Sequence, residues 1–469
     1  MDIIDRIRAD LGDKYVVTGN DAGPWKQDWT KAYHWEPLAV VRPKNTEQVQ
    51  MVARACSSAG VAMVPVGGNT GLTGATKAHN AIMISLDRMN TIREIKPNAQ
   101  VAIVESGAIL DSIHQAVNAY DLVFPLVFGA RGSAMIGGSL STNAGGSNVL
   151  RYGNTRDLCL GLEVVLADGR VMNLMSELRK DNTGLNLKHL FIGSEGTLGI
   201  ITAAVLRLYR KPLAYATAMV GLRTLQDSLP LLNRLQNETG GCVEAFEFMP
   251  RRYIERHISK IEGATEPLDN PHEVNILVEI GTTRESDLEQ DGTGTSKLQG
   301  ILEEALMEMI EADTAQDAVI ALNEAQRRVM WERREAAAEI SIGQEGAIDT
   351  DVSVPLDDVP KFLHMVSERV QKIDPKGNEF FISHLGDGNL HYTFHPSDHS
   401  GVFKEPITEA IEDVVLALNG SFSAEHGIGL SKRDSMARRK DPVALEMMRS
   451  IKTALDPTNL MNPGKVYPD

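Results

Sequence analysis

Two short segments in the C-terminal part of the chain concentrate groups that bind metals or move protons. Ser383-His384-Leu385-Gly386-Asp387-Gly388-Asn389-Leu390-His391 sets two histidines around a Gly-Asp-Gly-Asn turn. Ser423-Ala424-Glu425-His426-Gly427-Ile428-Gly429 sets a carboxylate beside an imidazole in a glycine-rich loop. On one straight strand His384 and His391 would face opposite sides, so their rings meet only if the chain turns between them. Two histidines and a carboxylate form a common divalent-metal set. Each histidine taken alone is equally a structural group, the turn an ordinary hairpin and Glu425 a solvated charge. Spacing leaves both readings open.

Three glycine-rich segments lie earlier in the chain. Pro65-Val66-Gly67-Gly68-Asn69-Thr70-Gly71 follows an apolar run and has neither a Walker lysine nor GxGxxG spacing. Such a turn permits positive φ and close backbone approach, and its N–H groups can cradle a phosphate; a tight surface turn is the alternative. Gly132 to Gly146 holds five glycines in fifteen residues, a poor composition for helix or strand. Phe191 to Ile201 is the third segment. Three such clusters in one region argue for one long, phosphate-bearing cofactor.

These motifs need elements to hold them. From about residue 38, apolar runs (PLAVVRP, VAMVPVGG, AIMISL, VAIVESG) alternate with helical stretches (TEQVQMVARACSSAG, SGAILDSIHQAVNAYD), which predicts an α/β region. GLEVVLADG and GIITAAVLRLYRKP extend it as later strands, and Lys211-Pro212 marks a boundary. Beyond it YATAMVGL, VEAFEF, VNILVEIG and FFISH predict strands between long helices, hence an α+β domain with an antiparallel sheet. The stretch from Lys297 to Ile340 is expected to be mostly helical, in more than one helix. DPVALEMMRSIKTALDP is a helix ended at Asp456-Pro457. The expected organisation is a cofactor domain over 1–212, a second, α+β domain over 213–415 and a C-terminal segment over 416–469.

The 469 residues carry a net charge of −16, which opposes nucleic acid and anionic lipid as partners. An anionic substrate then needs a local cation, a metal or an arginine. Cys56, Cys159 and Cys242 are too widely spaced for a disulfide framework or a CxxC site, which fits a reducing cytoplasm. No apolar run approaches a membrane span, and the N-terminus reads as an amphipathic helix rather than a targeting signal.

PVGGNTGLTGA, GGSLSTNAGG, LRYGNTRDLCLGLEVVLADG and LFIGSEGTLGIIT closely resemble the FAD-binding domain of the vanillyl-alcohol-oxidase superfamily, and LDPTNLMNPGK resembles the end of its FAD-linked oxidase branch. The resemblance implies a two-subdomain FAD-binding domain (PCMH type) and an α+β cap. It implies that Pro65, Gly67, Gly68, Asn69, Thr70 and Gly71 hold the FAD pyrophosphate region. Ser133, Gly138, Thr142, Asn143 and Gly146 would line the cofactor, Gly199 and Ile200 touch it further along, and Asn462 approaches the ring. The first glycine loop contains no histidine that could tether the flavin, so non-covalent FAD is expected.

HLGDGNLH and AEHGIG resemble motifs of the D-2-hydroxyacid dehydrogenase branch, which includes D-lactate and D-2-hydroxyglutarate dehydrogenases. The resemblance makes His384, His391 and Glu425 ligands of a divalent metal, zinc or manganese, and His426 the base. An imidazole of ordinary pKa takes an alcohol proton poorly unless a Lewis acid weakens the O–H bond. Hydride would pass to flavin N5. Arg334 matches an arginine that pairs with the substrate carboxylate, with Arg333 the alternative if the alignment slips by one. Thr393 stands at a substrate-binding position where asparagine is common, Ala338 replaces a hydroxyl side chain, and Asp349 and Thr350 occupy the stretch where the hydroxyglutarate pattern has a lysine. An acid in place of a cation disfavours a second substrate carboxylate, so the expected substrate is a monocarboxylic D-2-hydroxy acid; D-2-hydroxyglutarate and an O₂-using alcohol oxidase are the alternatives. The expected acceptor is an electron-transferring flavoprotein, a quinone or a cytochrome, and relatives suggest a homodimer.

Overall fold

A computed structural model describes residues 2–341 and 346–468. The chain forms two compact units: Met1–Gly145, Tyr152–Lys211 and Glu425–Asp469 make the first, and Gly146–Arg151 with Pro212–Ala424 make the second. The excursion Gly146–Arg151 joins the second unit because Arg151 ion-pairs with the buried Glu244 and Leu150 packs on Gly386.

The first unit contains a sheet in the order Val16–Val17, Ala39–Val41, Ile82–Ser85, Met63–Val66, whose last three strands run parallel. Its strands are apolar but for Ser85 at the end of Ile82–Ser85, as expected where both faces are covered. The crossover helix Thr46–Ala59 buries Val49, Val52, Ala53 and Cys56 at helical spacing. Its ends obey local rules: Asn45 caps the N-terminus through Gln48 N–H, and Gly60 ends it at φ 66. Pro65 is tolerated because Met63–Val66 is an edge strand, joined beyond by backbone bonds from the tail at Leu460 and Asn462.

The later runs, GLEVVLADG and GIITAAVLRLYRKP, do form strands. They lie in a separate five-stranded antiparallel sheet ordered Ile92–Lys96, Val101–Glu105, Ile200–Arg207, Cys159–Val165, Val171–Leu174. The sequence pattern identified strands but not this change of pairing, which depends on partners distant in the chain.

The second unit is built on a seven-stranded sheet in the order Ala315–Ile320, Ala214–Leu222, Val274–Thr282, Val243–Pro250, Asn378–His384, Asn389–His395, Ile348–Ser353. All neighbours are antiparallel. The period of two sends Val220, Phe246, Phe248, Val278, Leu390, Tyr392 and Phe394 to one face, where Leu232, Leu302, Phe362 and Val414 of four helices cover them. Full burial of each such side chain contributes about 1.5–3 kcal/mol. The opposite face carries Met219, Met249, Leu277, Phe380 and Ile382 under Tyr253, Ile254 and Met330 of the helices Arg251–Lys260 and Glu324–Glu335. That same face also bears a row of polar side chains.

The stretch expected to be mostly helical, in more than one helix, is so, with one strand that the sequence did not show. The stretch from Lys297 to Ile340 is interrupted by the edge strand Ala315–Ile320. The helix Lys297–Glu311 ends at Ala312, and Asp313 at φ 59 turns the chain back. Six residues of mixed polarity cannot announce a strand whose stability comes from pairing with Ala214–Leu222.

Candidate functional site

The hairpin around Gly-Asp-Gly-Asn brings the two histidines of its motif together. His384 ends one strand, His391 lies in the next, and the register pairs His384 with Asn389 and Ile382 with His391. Both imidazoles therefore leave the same face, and their ring centroids are 5.3 Å apart at 78°. Gly388 closes the turn at φ +78, where an added Cβ would lie 2.2 Å from the Val354 carbonyl oxygen.

Glu247 stands opposite His384 in the register and accepts from His384 Nδ1 at 2.9 Å and from Arg334 Nε at 2.6 Å. Burial pushes its carboxyl up, but His384 and Arg334 outweigh that and hold it at about 2. With Nδ1 donating to Glu247, the lone pair of the His384 ring sits on Nε2, the usual tautomer of a histidine backed by a carboxylate. Arg334 Nη2 lies 3.3 Å from that nitrogen.

Arg333 and Arg334 are separated by their positions on the helix Glu324–Glu335. Arg334 shares the side of Arg327 and Trp331, both of which bond Glu279 on the polar face of the sheet. Arg333 turns away and donates to Thr265 O at 2.9 Å. The arginine that meets His384 is Arg334.

Asp351 follows Asp349 and Thr350 in the chain. The register places it directly across from His391, 4.0 Å from its Nδ1, and it is 1% exposed. Asn389 Nδ2 donates to it at 2.9 Å. Asp349, two residues earlier on the same face, accepts from Thr393 Oγ1 at 2.6 Å. Ala338 belongs to the short helix Ala337–Ser341; its side chain lies outside the described residues. Ala424, the last residue of this unit, donates its amide to the Asp351 carbonyl.

In the first unit the three glycine segments converge. A Cβ on Gly68 would lie 2.0 Å from the Ser133 carbonyl oxygen, and one on Gly196 would lie 2.5 Å from Pro65. Gly193 N–H donates to Leu140 O, and Glu195 N–H to Ser141 O. The second segment forms the helix Ile136–Thr142, ended by Asn143 at φ 53, whose side chain accepts from Arg156 N–H. Thr142 bonds back to Gly138 O, Ser133 is exposed, and a Cβ on Gly138 would meet open space. Asn69 donates to Gln27 O and accepts from Thr76; Thr70 and Gly71 lie open beside it. A Cβ on Gly199 would lie 2.7 Å from Val164, and Ile200 is fully buried, so both pack inside the sheet. Gly146 falls in the second unit.

The tail closes this arrangement. Asn462 donates its side-chain amide to Ala75 O and Glu195 O, while its Oδ1 is buried with no partner among the described residues. An orphan acceptor beside glycines whose backbone approaches so closely fits an extended ligand with its own N–H or O–H donors, as FAD has.

Glu425 and His426 open the last segment of this unit, with donor atoms within 4.8 Å of each other. Glu195 anchors the loop after them: its carboxylate accepts from Ile428 N–H at 2.7 Å and Gly429 N–H at 2.8 Å. Thr73 O accepts from Leu430 and Ser431. Burial pushes Glu195 up to about 7, against the two amides and Lys432. Sequence spacing gave no sign of Glu195 or Glu247, because each acts on a residue far away in the chain.

Comparison with known proteins agrees with this arrangement. Residues 37–175 match the family described as FAD binding domain, and residues 211–466 match FAD linked oxidases, C-terminal domain. A probable mitochondrial D-2-hydroxyglutarate dehydrogenase of Oryza sativa subsp. indica is 35% identical over the whole of this chain and 82% of its own length. D-2-hydroxyglutarate dehydrogenase of Stutzerimonas stutzeri is 32% identical over 99% of this chain and 98% of that protein. Among solved structures, substrate-bound p-cresol methylhydroxylase superposes with a TM-score of 0.74 at 17% identity, over 100% of this chain and 96% of that one. The chain belongs to the FAD-linked oxidase family, on the vanillyl-alcohol-oxidase fold and in the branch of FAD-dependent D-2-hydroxyacid dehydrogenases.

Proposed function

We propose that this enzyme oxidises a monocarboxylic D-2-hydroxy acid to its 2-oxo acid, with His426 as the base. The observation that carries the reading is the convergence of His384 and His391 on one sheet face, with Glu247 behind the first and Asp351 beside the second. His384, His391 and Glu425 are the residues that would hold a divalent ion, zinc or manganese, and Asp351 adds an oxygen donor next to His391. When bound, such an ion acidifies an alcohol that it ligates, and FAD provides the hydride acceptor. Glu425 follows Ala424 by one peptide bond, and Ala424 is tied to Asp351.

In this reading His426 accepts the hydroxyl proton, which suits an imidazole near neutral pH. Arg334 offers its guanidinium fork to the substrate carboxylate while Glu247 fixes its Nε. Asp349 and Thr393 flank the far side of His391 on the same face and select the group carried on C2 beyond the hydroxyl. A carboxylate there repels a second substrate carboxylate, which supports a monocarboxylate such as D-lactate or a bulkier relative. The names of the relatives favour D-2-hydroxyglutarate as the second reading.

A substrate panel with metal-reconstituted enzyme and a dye acceptor tests both. Higher kcat/KM for D-lactate or a bulkier monocarboxylate is expected, and a large preference for D-2-hydroxyglutarate refutes the first reading. Chelator should inactivate and zinc or manganese restore; indifference to chelator counts against a metal. For the acceptor we propose a flavoprotein, quinone or cytochrome rather than O₂, so dye reduction should far exceed peroxide formation. We further propose FAD that leaves with denaturation, a cytoplasmic location and a homodimer. No helix among the described residues is long and apolar enough to cross a membrane.

A further inference from the structure

Two lysines are buried in the C-terminal part of the first unit, and they differ in what surrounds them. Lys452, 8% exposed, donates to the Asp456 carboxylate and to the carbonyls of Thr197 and Met461. Its three ammonium hydrogens have three acceptors, one of them charged, which is what a structural buried lysine requires. Lys465 is 6% exposed and, among the described residues, reaches a single acceptor, the carbonyl of Pro463 at 3.1 Å, two residues back. Among the described residues no carboxylate pairs with it.

Among the described residues, the charges that act on it carry the same sign. Burial first, then Lys77 and Arg433, push the Lys465 ammonium down to about 8. Buried charges in proteins are paired, and a cation crowded by cations is stable only where an anion completes the group. The surroundings show where that anion would come from. Lys77 comes shortly after the first glycine segment, whose neighbouring Thr73 and Ala75 carbonyls hold the His426 loop and Asn462. Val466 N–H, next to Lys465, donates to Gly429 O of that loop. Three residues before Lys465, the Oδ1 of Asn462 is a second buried polar atom without a partner among the described residues.

We propose that Lys465, buried on one backbone carbonyl and next to the loop after His426, is an oxyanion site that binds a carboxylate or phosphate oxygen. Within the functional reading above, two molecules bring such an oxygen: the 2-hydroxy acid through its carboxylate, and FAD through its pyrophosphate.

Lys465→Met keeps the length of the side chain and removes the charge. Three measurements on the full chain decide the matter: FAD affinity of the apoprotein by fluorescence titration, KM and kcat with a dye acceptor, and the apoprotein melting temperature. The expected result is a loss of at least tenfold in one affinity, with Lys465→Arg retaining most of it and the melting temperature unchanged or higher. Weaker FAD assigns the oxygen to the pyrophosphate; a raised KM with normal FAD affinity assigns it to the substrate. FAD affinity and KM both within twofold of the parent overturn the proposal, most plainly if the melting temperature falls, since that marks a structural lysine. Should Lys465→Met fail to accumulate, the partly exposed Lys77→Met repeats the test, with an expected threefold loss and the same criterion for failure. The FAD titration needs no turnover. Failure of the D-2-hydroxy acid reading would instead show as parent enzyme whose flavin no hydroxy acid reduces.

Discussion

Glu247 and Glu195 are both buried carboxylates, each serving one of the two histidine motifs, and they are stabilised by opposite means. Glu247 faces a guanidinium and an imidazole, and its carboxyl sits at about 2. Glu195 faces two backbone amides, and burial lifts it to about 7. Full charges repay the loss of hydration where two amide dipoles do not. The first arrangement fixes a side chain, His384, and the second fixes a backbone, the loop after His426.

The largest effect expected around these motifs is at the base. His426→Ala should lower turnover by about 10²–10⁴-fold while leaving FAD content intact; near-normal turnover removes the base assignment. Next comes Glu247→Gln, which leaves Arg334 and His384 without their counter-charge. It should cost about 3–5 kcal/mol of stability near neutral pH and about 10–100-fold in metal affinity. Because the folded carboxyl lies below its ordinary value of 4.5, this contribution is present above 4.5 and lost as pH falls toward about 2. Denaturation curves of parent and variant should therefore approach each other in acid, and a gap that persists there contradicts the pairing.

Glu195 carries the opposite sign. Its folded carboxyl lies above 4.5, so the fold favours the protonated form and loses stability as pH rises from 4.5 through about 7. Glu195→Gln should flatten that slope, worth on the order of 3 kcal/mol. It also turns an amide NH₂ toward a backbone N–H, costing about 1–3 kcal/mol. Urea titrations across that range check it, and an unchanged slope would show that Glu195 stays ionised. The smallest effect is on selectivity: Asp349→Lys should shift kcat/KM at least tenfold toward D-2-hydroxyglutarate relative to D-lactate, and no shift would remove Asp349 from specificity.

The legible parts of the molecule were those whose physics is local. Helix Thr46–Ala59 was legible as a helical stretch between two apolar runs, and the Gly-Asp-Gly-Asn turn allowed a reversal between two histidines. What stayed hidden depends on strand register. Asp351 becomes a neighbour of His391, and Glu247 of His384, only once strands that are far apart in the chain pair. The edge strand Ala315–Ile320 was hidden for the same reason. Arg334 was the expected arginine with Arg333 as its alternative, and which of the two meets His384 depends on the side of the helix each occupies.

The hairpin between His384 and His391 also constrains how this gene can change length. Side chains alternate strictly along Asn389–His395, so the turn acts as a parity check. A one-residue insertion or deletion that re-paired the strand would deliver Leu390, Tyr392 and Phe394 to the polar face and drive His391 into the apolar core. Only even changes, or a compensating bulge, keep the imidazoles side by side. Length variation among functional descendants of this chain should therefore avoid this turn and gather in loops that leave the register untouched.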